Sequence, residues 1–267
     1  MIPKVIHYCW FGKKPLPEEA LRCIESWRKY CPDYQIIEWN EENYDVSKNK
    51  YMQDAYIEKK WAFVSDYARI DVIYNYGGVY MDTDVEMIAP LDTYLDVGLF
   101  CGWENRDPLL DKMGIEYENS VAFGLGFGAI KGHPVLKSIL DMYQDLSFYN
   151  MDGTLNLKAC PHIQTEALKR FGLNDKERSL QHFDDIVVYP EDYLSPKSIV
   201  TGKITVTSNT VCIHHFSMSW VDIDTRLIQD LEWKLCSRMD YMKAKKIVAI
   251  IGLPLRIRRK LRNMMRK

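Results

Sequence analysis

Asp82 and Asp84 stand one residue apart in Asp82-Thr83-Asp84, directly after the apolar run Val79-Tyr80-Met81. Two carboxylates so spaced can hold a hard divalent cation, with diphosphate oxygens completing its shell. The spacing alone says little: with 22 Asp in the chain, chance supplies about two such pairs. A second one, Asp222-Ile223-Asp224, is indeed present. Context separates them. Asp82 and Asp84 follow Gly77-Gly78 and a strand-like run, which puts them at the carboxyl end of a central strand, where open α/β sheets bind ligands. Asp222 follows no strong strand and reads as a loop or a helix cap, so Asp222→Asn is expected to be nearly silent.

Three further groups have types suited to the same chemistry. Asp66 and Arg69 lie i, i+3 in Ser65-Asp66-Tyr67-Ala68-Arg69 and so share a helix face. They read either as an intrahelical ion pair worth a few tenths of a kcal/mol or as a hydroxyl acceptor and an oxygen-binding guanidinium beside Asp82. In Ile213-His214-His215-Phe216-Ser217-Met218-Ser219-Trp220 an imidazole can bind a Mn²⁺-like metal, and an indole N–H can donate to phosphate. Adjacent strand residues point to opposite faces, so at most one of His214 and His215 should face the site. Trp10 closes the first strand-like run, where its ring can stack on a base or fill the core.

The elements that must carry these residues alternate. Val5–Trp10 reads as a buried strand, Glu18–Tyr30 as a helix with Leu21, Ile24 and Trp27 at helical spacing, and Gln35–Trp39 as a second strand. Strand–helix–strand is the unit of a parallel sheet. Lys60–Tyr76 reads as a helix stopped by Gly77-Gly78, and Val79–Met81 as the strand into Asp82. Val97–Trp103, Ile186–Tyr189 and Val211–Phe216 are further strands, Val121–Ile130 a glycine-punctuated apolar segment, and Pro134–Leu146 and Thr165–Phe171 helices. The expected class is α/β.

The 267 residues suffice for a large core without staples, and 47% hydrophobic and 27% charged residues are ordinary globular usage. A net charge of −2 provides no field for nucleic acid. Seven scattered cysteines with no CxxC point to reduced thiols. MIPKVIHYCWFG has no basic leader or long apolar region, so no secretory signal is expected. The balance hides an asymmetry: residues 243–267 carry ten Lys or Arg and no Asp or Glu, leaving the remainder at −12. Two regions follow, an acidic domain over 1–242 and a basic amphipathic tail over 243–267. The apolar run Ile247–Leu255 is too short to span a bilayer. With its basic flanks, and with Ile257, Leu261, Met264 and Met265 at helical spacing, it suits the interface of an anionic membrane. Removing Lys245–Lys267 is expected to release the protein from anionic vesicles.

Ile2-Pro3-Lys4-Val5-Ile6-His7-Tyr8-Cys9-Trp10-Phe11-Gly12, Ser65-Asp66-x-x-Arg69, Gly77-Gly78-x-Tyr80-x-Asp82-x-Asp84 and His214-His215-x-x-x-Ser219-Trp220 together resemble the DXD-containing sugar transferases of glycosyltransferase family 32. That family includes initiating α-1,6-mannosyltransferases and bacterial capsule and lipopolysaccharide enzymes, with the clostridial toxin glucosyltransferase domains as distant kin. The resemblance covers most of residues 1–220. It implies a GT-A fold, a Rossmann-like sheet with the donor across its carboxyl edge. It implies a retaining hexosyltransferase that uses Mn²⁺ or Mg²⁺ and a UDP- or GDP-sugar, acting on a lipid-linked or polysaccharide acceptor. By position, Trp10 would stack on the donor base, Asp66 and Arg69 would contact ribose and sugar, and Asp82 would bridge ribose and metal-bound water. Asp84 would ligate the metal directly, with His215 as second ligand and His214 left open. Trp220, with Ser219 in the same lid, would donate to the β-phosphate. Cys160 stands where the family often has glycine. The implied place is the cytoplasmic face of the cell membrane, where nucleotide sugars are made. A nucleotide-sugar hydrolase using the same site and a non-catalytic membrane-bound assembly partner are the alternatives.

Overall fold

The computed structural model describes residues 1–115, 118–157, 160–218 and 221–264. The elements begin β1 (Val5–Cys9), α1 (Glu18–Tyr30), β2 (Gln35–Trp39), α2 (Lys50–Ile57), α3 (Trp61–Tyr76), β3 (Gly78–Tyr80), β4 (Val85–Met87) and β5 (Leu99–Gly102). They continue with α4 (Pro108–Lys112), β6 (Phe127–Ala129), α5 (Pro134–Gln144), α6 (Pro161–Lys169), β7 (Gln181–Phe183), β8 (Ile186–Tyr189) and α7 (Glu191–Leu194). The last are β9 (Cys212–His214), α8 (Ile223–Cys236), α9 (Tyr241–Ile251) and α10 (Leu253–Met264).

Seven strands form one sheet in the order β2-β1-β3-β6-β5-β8-β7. Only β6 and β7 run against the others. The fold is therefore the α/β, mostly parallel, Rossmann-like sheet expected of a GT-A enzyme. Its strands alternate in where they bury their side chains. Ile6, Tyr8, Val79, Met81 and Phe100 join one apolar cluster, whereas Cys9, Tyr80, Leu99 and Cys101 join the other. This period of two makes the sheet the middle of three layers.

On one face α3 lies between the sheet and α5, which is why ten of its sixteen residues are buried and no polar stripe is seen in its sequence. On the other face α1 packs against the β4–β9 ribbon, with Trp27 Nε1 donating to Val85 O at 2.7 Å. The turn from α3 into β3 needs its glycines. Gly77 and Gly78 have φ of +70° and +110°, and a Cβ on Gly78 would lie 2.7 Å from Val5 O. All seven cysteines are free thiols, six of them buried.

The C-terminal region departs from the expectation of a separate tail. The composition shift at residue 243 falls inside α9, and α8, α9 and α10 pack on one another. Asp224, fully buried at the start of α8, pairs with both Arg258 and Arg262 of α10. Asp222 caps α8 by accepting from the Asp224 and Thr225 N–H groups. The second Asp-x-Asp is thus a structural device. Among the described residues no helix is long and apolar enough to cross a membrane.

Candidate active site

The carboxyl ends of β1 and β3 lie side by side because the strands are parallel neighbours, with His7 opposite Tyr80. The chain leaving β3 therefore delivers Asp82 and Asp84 to the edge where Trp10 leaves β1. Helix α3 runs back beneath this edge and contributes Asp66 and Arg69. Arg69 Nη2 lies 2.8 Å from Asp66 Oδ1 and 3.4 Å from Asp82 Oδ1. Its guanidinium sits over the Tyr80 ring at 5.1 Å, and the Tyr80 hydroxyl donates to Asp82 Oδ1 at 2.9 Å. Asp66 and Arg69 are both buried, at 7% and 4% exposure. The Asp66/Arg69 pair is thus not a surface helix pair but the buried part of a triad completed by Asp82, whose side chain is 26% exposed. Burial raises the pKa of Asp66 and of Asp82, and Arg69 opposes it in both. Without the guanidinium, the buried Asp66 would be left without its counter-charge beside the partly exposed Asp82, at a cost of about 3–5 kcal/mol.

Pairing of β4 with β9 brings in the histidine. Val85 lies opposite His214 in this antiparallel ribbon, so His214 arrives beside Asp84. His214 Nε2 is 3.3 Å from Asp84 Oδ1, and its ring meets Phe216 edge-on. His215 points the other way, its Nε2 2.8 Å from Glu86 Oε2, while its N–H donates to Asp84 O at 2.9 Å. Opposite faces for the two histidines follow from strand geometry, but the naming of His215 as the metal-facing one does not hold in this arrangement: His214 stands with the carboxylates. Beyond β9, Phe216 and Met218 both take left-handed backbone angles, φ 55° and 45°. Between them the Ser217 N–H donates to Asp84 Oδ2 at 2.8 Å. Burial raises the Asp84 pKa, but His214 and this N–H outweigh it and hold the carboxyl well below its usual range. Burial likewise works against a charged His214, and Asp84 overrides it and raises the imidazole pKa.

Asp82, Asp84 and His214 each offer a ligand atom, all within 4.8 Å of one another. His214 Nδ1 is buried with no hydrogen-bond partner among the described residues. Carboxylate oxygens with one imidazole suit Mn²⁺, and a bound cation takes the place of the imidazole proton. The donor set fits the expected metal.

The wall of this site comes from a segment with no motif of its own. The turn Phe123–Leu125 faces Asp82, whose N–H donates to Gly124 O at 3.4 Å. A Cβ on Gly124 would lie 2.3 Å from Asp82 Oδ2 and 2.9 Å from Arg69 Nη1. Helix α6 fixes the turn: Gln164 Oε1 accepts from Phe123 N–H and Thr165 Oγ1 from Val121 N–H, both at 2.9 Å and buried. At the head of α6 lies the buried Cys160, the residue standing in place of a family glycine; burial, with the charge of Asp66 adding to it, raises its thiol pKa. Lys197, 8% exposed, donates to His215 O at 2.5 Å and stacks on Trp233 of α8 at 3.9 Å. Gly124, Gln164 and Lys197 were not legible as site residues; the sequence signals were the density of glycine between Val121 and Ile130 and the faint family echo Cys160-Pro161…Thr165. Trp10 is half-buried with Nε1 donating to Lys14 O at 2.6 Å. Ser219 and Trp220 lie outside the described residues.

Residues 17–100 match the family described as the glycosyltransferase sugar-binding region containing the DXD motif. Two curated relatives come from Schizosaccharomyces pombe. Inositol phosphoceramide mannosyltransferase 1 is 33% identical over 110 residues, 37% of this chain and 33% of the relative. Inositol phosphoceramide mannosyltransferase 3 is 30% identical over 148 residues, 52% and 36% of the two chains. The chain thus spans about a third of the length of these relatives. Among solved structures, the PaToxG glycosyltransferase is 19% identical, with 63% of this chain and 69% of that one covered at a TM-score of 0.44. The galactosyltransferase LgtC is 10% identical, with 92% and 95% covered at a TM-score of 0.38.

Proposed function

We propose that this chain, whose residues 17–100 belong to the DXD-containing glycosyltransferase sugar-binding family, is a metal-dependent, retaining glycosyltransferase. Its donor is a UDP- or GDP-sugar, and its acceptor is lipid-linked rather than a free glycan. The observation that carries the reading is the convergence of Asp82, Asp84 and His214 at the sheet's carboxyl edge beside the buried Arg69. The names of the two relatives, both mannosyltransferases of a ceramide lipid, support a lipid-borne acceptor over a capsular or lipopolysaccharide one.

Cleaving a glycosyl–phosphate bond develops negative charge on the departing diphosphate. A divalent cation held by Asp84, His214 and Asp82 would offset that charge. Arg69, fixed by two carboxylates, presents a positive group that needs no reorganisation as the charge develops. Asp66 and Asp82 accept hydrogen bonds from donor hydroxyls, and Trp10 covers the base. Asp66 and Asp82 are tied to Arg69 and Asp84 to His214, so these three carboxylates supply no free pair for a two-carboxylate acid–nucleophile scheme. We therefore favour same-face attack by the acceptor hydroxyl, with its proton passing to the departing phosphate.

The test is nucleotide release from a panel of UDP- and GDP-sugars with Mn²⁺ or Mg²⁺, with and without a lipid-linked acceptor. Wild-type protein should release nucleotide from one donor, faster with acceptor, and Asp84→Asn should lose most of this while the chain remains folded at the assay temperature, as a melting curve on the same sample would show. No metal-stimulated release from any donor would refute the proposal. Release that is indifferent to every acceptor would instead mark a hydrolase.

A further inference from the structure

Helices α9 and α10 carry a surface the proposed chemistry does not use. Ile250, Leu253, Ile257 and Leu261 are 76%, 52%, 51% and 55% exposed. Within α10 the last three recur every fourth residue, so they form one stripe along the helix. Lys260 and Arg256 border that stripe on one side, and Arg258 and Arg262 on the other. Lys243, Lys245 and Lys246 extend the basic border along α9 and are exposed. No acidic residue occurs anywhere from Tyr241 onward.

An apolar stripe between cationic borders is complementary to a surface that is negative above and hydrocarbon below. We infer that α9 and α10 form a docking face for an anionic phospholipid bilayer, with the stripe in the acyl boundary and the exposed lysines on the headgroups. Not every cation of this region serves the lipid. Arg258 Nε donates to Asp224 Oδ1 at 2.7 Å, Arg262 pairs with the same carboxylate, and Arg259 Nη1 donates to Thr225 Oγ1 at 3.0 Å. These three fasten α10 to α8 and fix which face of α10 looks outward. The docking face is therefore a rigid part of the fold rather than a loose tail.

Its place in the molecule also matters. Helix α8 follows directly on the segment after β9, and its Trp233 touches Lys197, which in turn holds His215 O. The docking helices thus join the segment after β9 through α8, and docking would bring the enzyme to the bilayer surface where a lipid-linked acceptor lies. Only that last step rests on the transferase reading; lipid binding is measured without substrate.

Truncation at Lys245 would strip Arg258 and Arg262 from a fully buried Asp224, so point substitutions in the full chain are the sounder test. The protein is sedimented with vesicles of phosphatidylcholine alone and with vesicles of equimolar phosphatidylcholine and phosphatidylglycerol, at low and high salt. Wild type should partition onto the anionic vesicles only, and salt should release it. Ile257→Glu, Leu261→Ser and the double change Lys246→Glu/Lys260→Glu should each weaken partitioning by about tenfold or more, with melting temperature and nucleotide release unchanged. Equal binding of wild type to both vesicle types, or Ile257→Glu and Leu261→Ser binding like wild type, would overturn the inference. So would binding to a short DNA duplex as tight as to anionic vesicles. A lipid-free dimer abolished by Ile257→Glu would reassign the face to a second copy of the chain.

Discussion

Gly124→Ala adds one methyl group at the point where the wall of the site meets the carboxylate of Asp82. The new Cβ would stand 2.3 Å from Asp82 Oδ2, where van der Waals contact begins near 3.4 Å. About 1 Å must therefore be found. The Phe123–Leu125 turn is not free to retreat, because Gln164 and Thr165 hold the backbone N–H groups of Phe123 and Val121 from the buried side. Asp82 is the group left to move, away from Tyr80 OH and Arg69. Displacement of a reacting group by about 1 Å costs on the order of 100-fold in rate, or about 2.7 kcal/mol of barrier. Overpacking should cost stability by about 1–3 kcal/mol as well, so the chain stays folded at assay temperature. The assay is kcat for metal-stimulated nucleotide release, with a metal titration and a melting curve on the same sample. A kcat within about threefold of wild type, at whatever stability, would show that the turn yields instead and that Gly124 is not a wall of the site.

Other substitutions separate structural from chemical roles. Arg69→Ala should abolish turnover and also lower stability by about 3–5 kcal/mol, because Asp66 and Asp82 lose the cation between them; a loss of only a few tenths of a kcal/mol in urea melts, with activity intact, would restore the reading of a solvated helix pair. Asp222→Asn should be silent, since asparagine caps a helix as well, whereas Asp224→Asn should lower the melting temperature without slowing nucleotide release below it; equal effects from the two would contradict the pairing of Asp224 with Arg258 and Arg262. His7 is buried and its pKa is pushed down from 6.5 to about 4. The unfolded chain therefore binds this proton more readily, so the contribution of His7 to stability is fully present above pH 6.5 and is lost as the pH falls toward 4. That loss amounts to about 3 kcal/mol, and His7→Gln should flatten the pH dependence of urea stability over that window; parallel curves for the two proteins would count against it.

Elements whose boundaries are chemical were legible in the residues. The bounds of α1 and β2 are those expected, because the apolar spacing about Ile24 and Trp27 and the stop at Pro32 are local facts, although Leu21 is exposed and Ala20 and Cys23 complete the buried face instead. Elements defined by partners were not. β4 has three residues and exists because β9 pairs with it; α2 is a short, mixed stretch buried only through α3 and α5. Helix α6 starts at Pro161 rather than at Thr165, its proline sitting in the first turn where a missing N–H does no harm. Helix α8 was missed altogether beyond its cap. It packs against α9 and α10, whose basic composition reads in sequence as a tail apart from the domain.

The same division runs through the site. Asp82 and Asp84 could be chosen over Asp222 and Asp224 from sequence because a glycine-led strand precedes them within a few residues. The choice between His214 and His215 could not, because it depends on the register of two strands far apart in the chain. Val85 pairs with His214, and a slip of one residue would exchange the two imidazoles, as any one-residue slip exchanges strand faces. What pins that register is visible only in three dimensions: Trp27 of α1 holds Val85 O, Ser26 holds Met87 N–H, and the Ser217 N–H closes on Asp84. The histidine that stands with the carboxylates is thus selected by the packing of α1, an element with no chemical group in the site. A substitution such as Trp27→Phe, remote from the carboxylates, should therefore disturb the Asp84–His214 pair more than its distance from them suggests.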